Sequence, residues 1–134
     1  MADTFIDRLD ALVHYQEALH SRKNRDAAGP GNGIVERFEH PVVTADHVPL
    51  AWRYDFDASR NPFLQERLGV NAALNPGAIE WNGKIVLAVR VEGVDRKSFI
   101  AMAESETGVD GFRFREEPVV MPVTDDPETN VYDL

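Results

Sequence analysis

Asp133 directly follows Tyr132 within the apolar residues 131–134. A carboxylic acid held beside an aromatic ring and partly desolvated has its pKa pushed up, so it can donate a proton. Asp133 is therefore a candidate general acid. Arg90 and Arg96 fall where strands are expected to end. A guanidinium at a strand end can clamp vicinal sugar hydroxyls or an anion through its fixed fork of donors. Arg90 also reads as a half-buried strand arginine paired with Glu92 or Glu80. Asn75-Pro76-Gly77 reads as a turn opening the first strand.

Other chemistries find no support. The chain has no cysteine, which removes disulfides, thiolate zinc sites and a cysteine nucleophile. His14, His20, His40 and His47 form no H-x-x-x-H or H-E-x-x-H pattern, so surface or capping roles are expected and no metal site. No Gly-x-Ser-x-Gly elbow is present. Gly29-x-Gly31-x-Gly33 lacks a preceding apolar strand and the lysine of a phosphate loop, so a plain loop is expected.

The elements that must position these residues come from a chain of 134 residues, enough for one domain. The net charge of −9 argues against nucleic acid and against an anionic membrane surface as partners. No apolar run is longer than residues 85–89, far short of a membrane span. Asp3, Asp7, Arg8 and Asp10 stand where a signal peptide needs apolar residues, so a cytoplasmic location is expected.

The spacing of Phe5, Ile6, Leu9, Leu12, Val13 and Leu19 predicts an amphipathic helix over residues 3–23, capped by Asp3 or Thr4. Its apolar stripe must cover something, a partner subunit being one candidate. Residues 26–33 are a break rich in glycine. Trp52, Tyr54 and Phe56 alternate, which predicts a short edge strand. Asn61-Pro62 predicts a short helix ending near Gly69. From residue 71 the period becomes two. Asn82-Gly83 lies between apolar runs and predicts a type I′ hairpin. Further strands are expected over residues 98–103 and 112–115, making a four-stranded antiparallel meander the size of one propeller blade. After Arg115 come six acids and no base, and then residues 131–134 read as the start of another strand. A fragment of a longer protein is expected.

Several segments together resemble glycoside hydrolase family 130, in its β-mannoside phosphorylase branch. They are Leu74-Asn75-Pro76-Gly77-Ala78-Ile79, Trp81-Asn82-Gly83-Lys84, Ala88-Val89-Arg90-Val91-Glu92-Gly93-Val94-Asp95-Arg96-Lys97-Ser98-Phe99, Ala103-Glu104-Ser105 and Thr129-Asn130-Val131-Tyr132-Asp133. Pro49-Leu50-Ala51-Trp52-Arg53-Tyr54-Asp55-Phe56 fits the same branch. The resemblance implies the N-terminal part of a five-bladed β-propeller. Residues 1–33 would be a helical extension and loop, and residues 34–134 the first blade and the start of the second. It implies Asp133 as general acid behind Tyr132, with Asn75 and Arg96 contacting the mannosyl unit and Arg90 supporting them. The implied activity is inverting phosphorolysis of a β-mannosyl-glucose to α-mannose 1-phosphate and glucose. Inorganic phosphate is the co-substrate, no cofactor is needed, and the full-length protein is expected to be a homo-oligomer. The family's basic phosphate-binding residues lie beyond Leu134, so the fragment alone is expected to be inactive. Hydrolysis within the same family, or a non-catalytic sugar-binding or assembly module, are the alternatives.

Overall fold

The computed structural model describes residues 4–128. Tyr132, Asp133 and the strand expected over residues 131–134 lie outside the described residues. The fold is mainly β. An N-terminal helix, a 3-10 turn and a one-turn helix precede a four-stranded antiparallel sheet in the order β1-β2-β3-β4.

Helix α1 is Phe5–Ser21. Thr4 caps it: its hydroxyl accepts from the Asp7 amide, and the Asp7 carboxylate accepts from the Thr4 amide. This reciprocal pair satisfies backbone groups that would otherwise lack partners. The helix is slightly shorter than expected, and its inward face differs. Phe5, Arg8, Leu9, Leu12, Gln16, Leu19 and His20 are half-buried, whereas Ile6 and Val13 are exposed. At about 100° per residue, Ile6 and Val13 fall on the rim of the stripe. No residue of α1 is fully buried. Polar bonds do much of the docking instead. Gln16 Nε2 donates to the carbonyls of Asp46 and Val48, and Arg8 Nη1 donates to that of Phe63.

Two expectations fail between the helix and the sheet. The edge strand at Trp52 is instead the helical turn α2, Leu50–Arg53. Pro49 stands at its N-cap, where no helical N–H is lost, and packing of Trp52 against the core outweighs the alternation of Trp52, Tyr54 and Phe56. Only Tyr54 keeps a bridge, to Glu66. The helix expected after Asn61-Pro62 does not form. The Asn61 side chain donates to the carbonyls of Asp55 and Gln65 and accepts from the Gln65 amide, competing with helical bonding. Leu64 has φ +48°, which no right-handed helix accommodates. The glycine-rich segment is irregular, as expected.

Strands β1 (Val70–Trp81) and β2 (Lys84–Gly93) are joined by Asn82-Gly83, both at positive φ as a type I′ turn demands. Strand β3 is Ser98–Ser105 and β4 only Arg113–Phe114. Leu87, Val89 and Val91 on β2 and Ala101 and Ala103 on β3 point to one face and are at most 5% exposed. Val48 and Phe112 close over them, with Trp52 set edge-on between Phe99 and Phe114. Because side chains alternate, Ala88, Arg90 and Glu92 go to the other face. Cross-strand register puts Ile79, Trp81 and Ile100 there too, and these three are exposed.

Candidate functional site

Strand β1 pairs Leu74 with Arg90 and then Gly77 with Ala88. Asn75 and Pro76 therefore face Val89 alone, which is a β-bulge. Asn75 takes φ +43°, a left-handed conformation that asparagine tolerates better than most residues. Pro76 has no N–H to lose from the ladder. The turn expected at Asn75-Pro76-Gly77 is thus a bulge inside a continuous strand. Asn75 is exposed beside Arg90, and among the described residues its side chain has no hydrogen-bond partner.

Arg96 lies in the turn between β2 and β3. The Gly93 amide donates to the Lys97 carbonyl, the Arg96 amide to the Gly93 carbonyl, and the Lys97 amide to Asp95 Oδ1. A Cβ on Gly93 would come within 2.8 Å of that Asp95 oxygen, so a larger residue there would push the Asp95 carboxylate off the Lys97 amide. Arg96 itself sits at φ +69°. Glycine would adopt this conformation without strain, whereas for another L-residue it costs about 1–2 kcal/mol.

The arginines converge on Glu92. Its Oε1 accepts from Arg96 Nη1 at 3.3 Å and from Asn71 Nδ2 at 2.8 Å, and its Oε2 lies 3.7 Å from Arg90 Nη2. The Arg90–Glu92 pairing read from the sequence is therefore present, whereas Glu80 is not part of it. The Glu92 side chain is only 13% exposed, against 79% for Arg96. The Asn71 amide first, then the two arginines, hold the Glu92 carboxyl below its ordinary pKa, so it is ionised at neutral pH. Arg90 Nε is buried and has no partner among the described residues. Arg90 and Arg96 thus meet over Glu92 toward one end of the β1–β2 ladder, Arg96 the more exposed of the two, while Asn75 offers its amide from the bulge midway along it. Such an arrangement presents N–H donors and an amide to a polyhydroxylated ligand.

Sequence reasoning missed Glu92 as the centre of the cluster and Asn71 as its anchor. The detectable signal was the alternation Arg90-x-Glu92, which puts both side chains on one face. It also placed His20 and His47 on the surface or at caps. His47 does cap, with Nδ1 accepting from the Thr44 amide at 2.9 Å, but it is 4% exposed. The His20 side chain is 8% exposed, and its ring lies 5.8 Å from that of His47. Burial forces both imidazoles toward the neutral form, His47 down to about 4.

A shallow cleft at the opposite end of β2 is lined by Lys84, Glu104, Arg113 and Arg115, but its charges are largely paired internally. Lys84 Nζ lies 3.3 Å from Glu104 and 3.4 Å from Glu106, and Arg115 Nε lies 2.6 Å from Glu104. Among the described residues no group of three or more metal-binding side chains is gathered, and no helix is long and apolar enough to cross a membrane.

No known protein family's profile matches the chain. The chain is similar to 4-O-β-D-mannosyl-D-glucose phosphorylase of Bacteroides fragilis, at 53% identity over 130 residues. That match takes in 97% of this chain but spans only 33% of the relative's length.

Proposed function

We propose that this chain is the N-terminal part of a longer inverting β-mannoside phosphorylase, which converts mannosyl-glucose and phosphate to α-mannose 1-phosphate and glucose. The observation that carries this reading is the 53% identity over nearly the whole chain to a protein of that name. The convergence of Arg90 and Arg96 on Glu92, with the exposed Asn75 in the neighbouring bulge, supports it. The four-stranded sheet is the first blade of a β-propeller, with residues 1–33 as a helical extension.

Phosphate attacks the anomeric carbon from the face opposite the glucose, and configuration inverts. An inverting hydrolase needs a carboxylate base to activate water, with its two carboxyl groups about 6.5–9.5 Å apart. Phosphate is already an anion and needs no such base. The reaction therefore requires a cationic phosphate pocket, which the rest of the protein supplies, and one acid for the departing oxygen. Asp133 is that acid, with Tyr132 beside the sugar. Asn75 and Arg96 bind mannosyl hydroxyls, and Arg90 supports them.

The test uses the complete enzyme, the longer protein proposed to contain this chain. Glucose release from mannosyl-glucose should depend on added phosphate. Asp133→Asn should lower kcat by about 10²–10⁴-fold, the range of general acid catalysis, with a smaller change in KM. The 134-residue chain alone should release no glucose. Phosphate-independent release by the complete enzyme, or near-normal turnover by Asp133→Asn, would overturn the reading.

A further inference from the structure

Glu92 has the geometry of a part that holds other parts. It is mostly covered, it is ionised, and its oxygens face three side chains from three places in the chain: Asn71 on β1, Arg90 on β2 and Arg96 in the following turn. The Asn71 bond is the shortest of the three, so the carboxylate is fixed from the strand side and presents its charge to the arginines. Arg96 occupies a backbone conformation that glycine would take without strain, so its side chain is what the turn gains at that position. An exposed arginine on a flexible stem would otherwise sample many rotamers, and fixing one before the ligand arrives lowers the entropy lost on binding.

We infer that Glu92 is a positioning residue: anchored by Asn71, its carboxylate holds Arg96 and Arg90 side by side in the orientation that receives the mannosyl unit. This rests on the site reading proposed above. Glu92 acts through the arginines and touches no reacting atom. The Asn71 bond fixes the carboxylate, whose Oε1 then accepts from Arg96 and whose Oε2 attracts Arg90 across 3.7 Å.

The test is a double-mutant cycle in the complete enzyme with Glu92→Gln, Arg96→Ala and the double variant. Asn71→Ala is a second probe that leaves the Glu92 charge in place. Glu92→Gln should raise KM for mannosyl-glucose by about tenfold, the scale of one misdirected charge-assisted hydrogen bond, and leave KM for phosphate unchanged. Asn71→Ala should act in the same direction by about threefold, and it carries the test if Glu92→Gln fails to fold. In the Arg96→Ala background, Glu92→Gln should add less than about twofold, because its partner is already gone. An unchanged KM in both Glu92→Gln and Asn71→Ala would overturn the inference. So would effects of Glu92→Gln and Arg96→Ala that multiply fully while Arg96→Ala alone is impaired. Full activity of Arg96→Ala would instead refute the site reading itself.

Discussion

Arg113 gives both of its Nη groups to Glu17, at 3.0 and 2.9 Å, and Nη1 also lies 3.0 Å from His20 Nδ1. Arg96 gives Nη1 alone to Glu92, at 3.3 Å, and is 79% exposed. Both arginines meet a single glutamate across a short span of structure, yet the two clusters differ in how many donors are taken. Around Arg113 the fork is closed: two oxygens and a ring nitrogen occupy it, and behind His20 stands the buried His47. Around Arg96 most of the fork faces outward. A bidentate pair backed by buried rings fixes one element against another. A single long contact to a carboxylate that is itself anchored fixes a direction and leaves donors for a ligand. The number of donors left over, more than charge or strand position, separates a structural arginine from a binding one.

The region around Arg113 breaks most severely at its chain neighbour Phe112, which is 1% exposed and packs in the core with Val48 and the inward side chains of β2 and β3. Phe112→Ala should lower stability by about 3–5 kcal/mol through lost burial and the cavity left behind. Thermal melting would show it, and an unchanged midpoint would mean that the sheet face is held without this plug.

Acid should loosen the same region by a smaller amount. His47 titrates near 4 in the folded protein, because burial and then the neighbouring His20 and Arg22 oppose its charge, with Asp46 acting the other way. An unfolded histidine titrates near 6.5. The unfolded chain therefore binds the extra proton first, and stability rises with pH across this interval. The contribution is intact above about pH 6.5 and is lost as pH falls toward about 4, at no more than about 1.4 kcal/mol per pH unit. His20, also lowered, adds to the slope in the same direction. Hydrogen exchange of the α1 amides should accelerate between pH 6.5 and 4.5 beyond its intrinsic pH dependence. His47→Gln should flatten most of that excess, and a dependence undiminished by the substitution would remove His47 from the account.

Arg113→Ala should be the mildest of the structural lesions, about 1 kcal/mol, because both it and Glu17 are more than half exposed and solvent screens the pair. Its signature is local. Exchange should quicken in α1 and remain unchanged in β2.

The sequence carried the sheet almost completely. Asn82-Gly83 can hardly be anything but a hairpin turn, and the alternation through β2 and β3 assigns each side chain to a face. It carried α1 and its Thr4 cap for the same local reasons. What it did not carry depends on competition between local and distant partners. Trp52, Tyr54 and Phe56 alternate like a strand, but Trp52 finds Phe99 and Phe114 across the core and the chain turns helical to bring it there. Asn61-Pro62 looks like a helix start until the Asn61 side chain takes the backbone bonds the helix would use. In the site, Arg90, Arg96 and Asn75 were legible as chemistry-bearing types but not all in place: Asn75 lies in a bulge within β1 and Arg90 inside β2, and only Arg96 stands past a strand end. The role of Glu92 was hidden because one acid among many in an acidic chain has no mark until register puts Asn71 beside it.

The contrast between the closed and the open arginine is tested most directly by measuring Arg96→Ala and Arg113→Ala side by side in the complete enzyme. The two readouts are kcat/KM for mannosyl-glucose with phosphate in excess, and melting temperature. Arg96→Ala should lose about 10- to 150-fold in kcat/KM, equivalent to 1.5–3 kcal/mol of charge-assisted hydrogen bonding, with its melting temperature unchanged. Arg113→Ala should melt lower and keep its kcat/KM within about twofold. Full kcat/KM in Arg96→Ala, or an equal loss in both variants, would contradict the assignment of the Glu92 cluster to substrate and of the Glu17 cluster to structure.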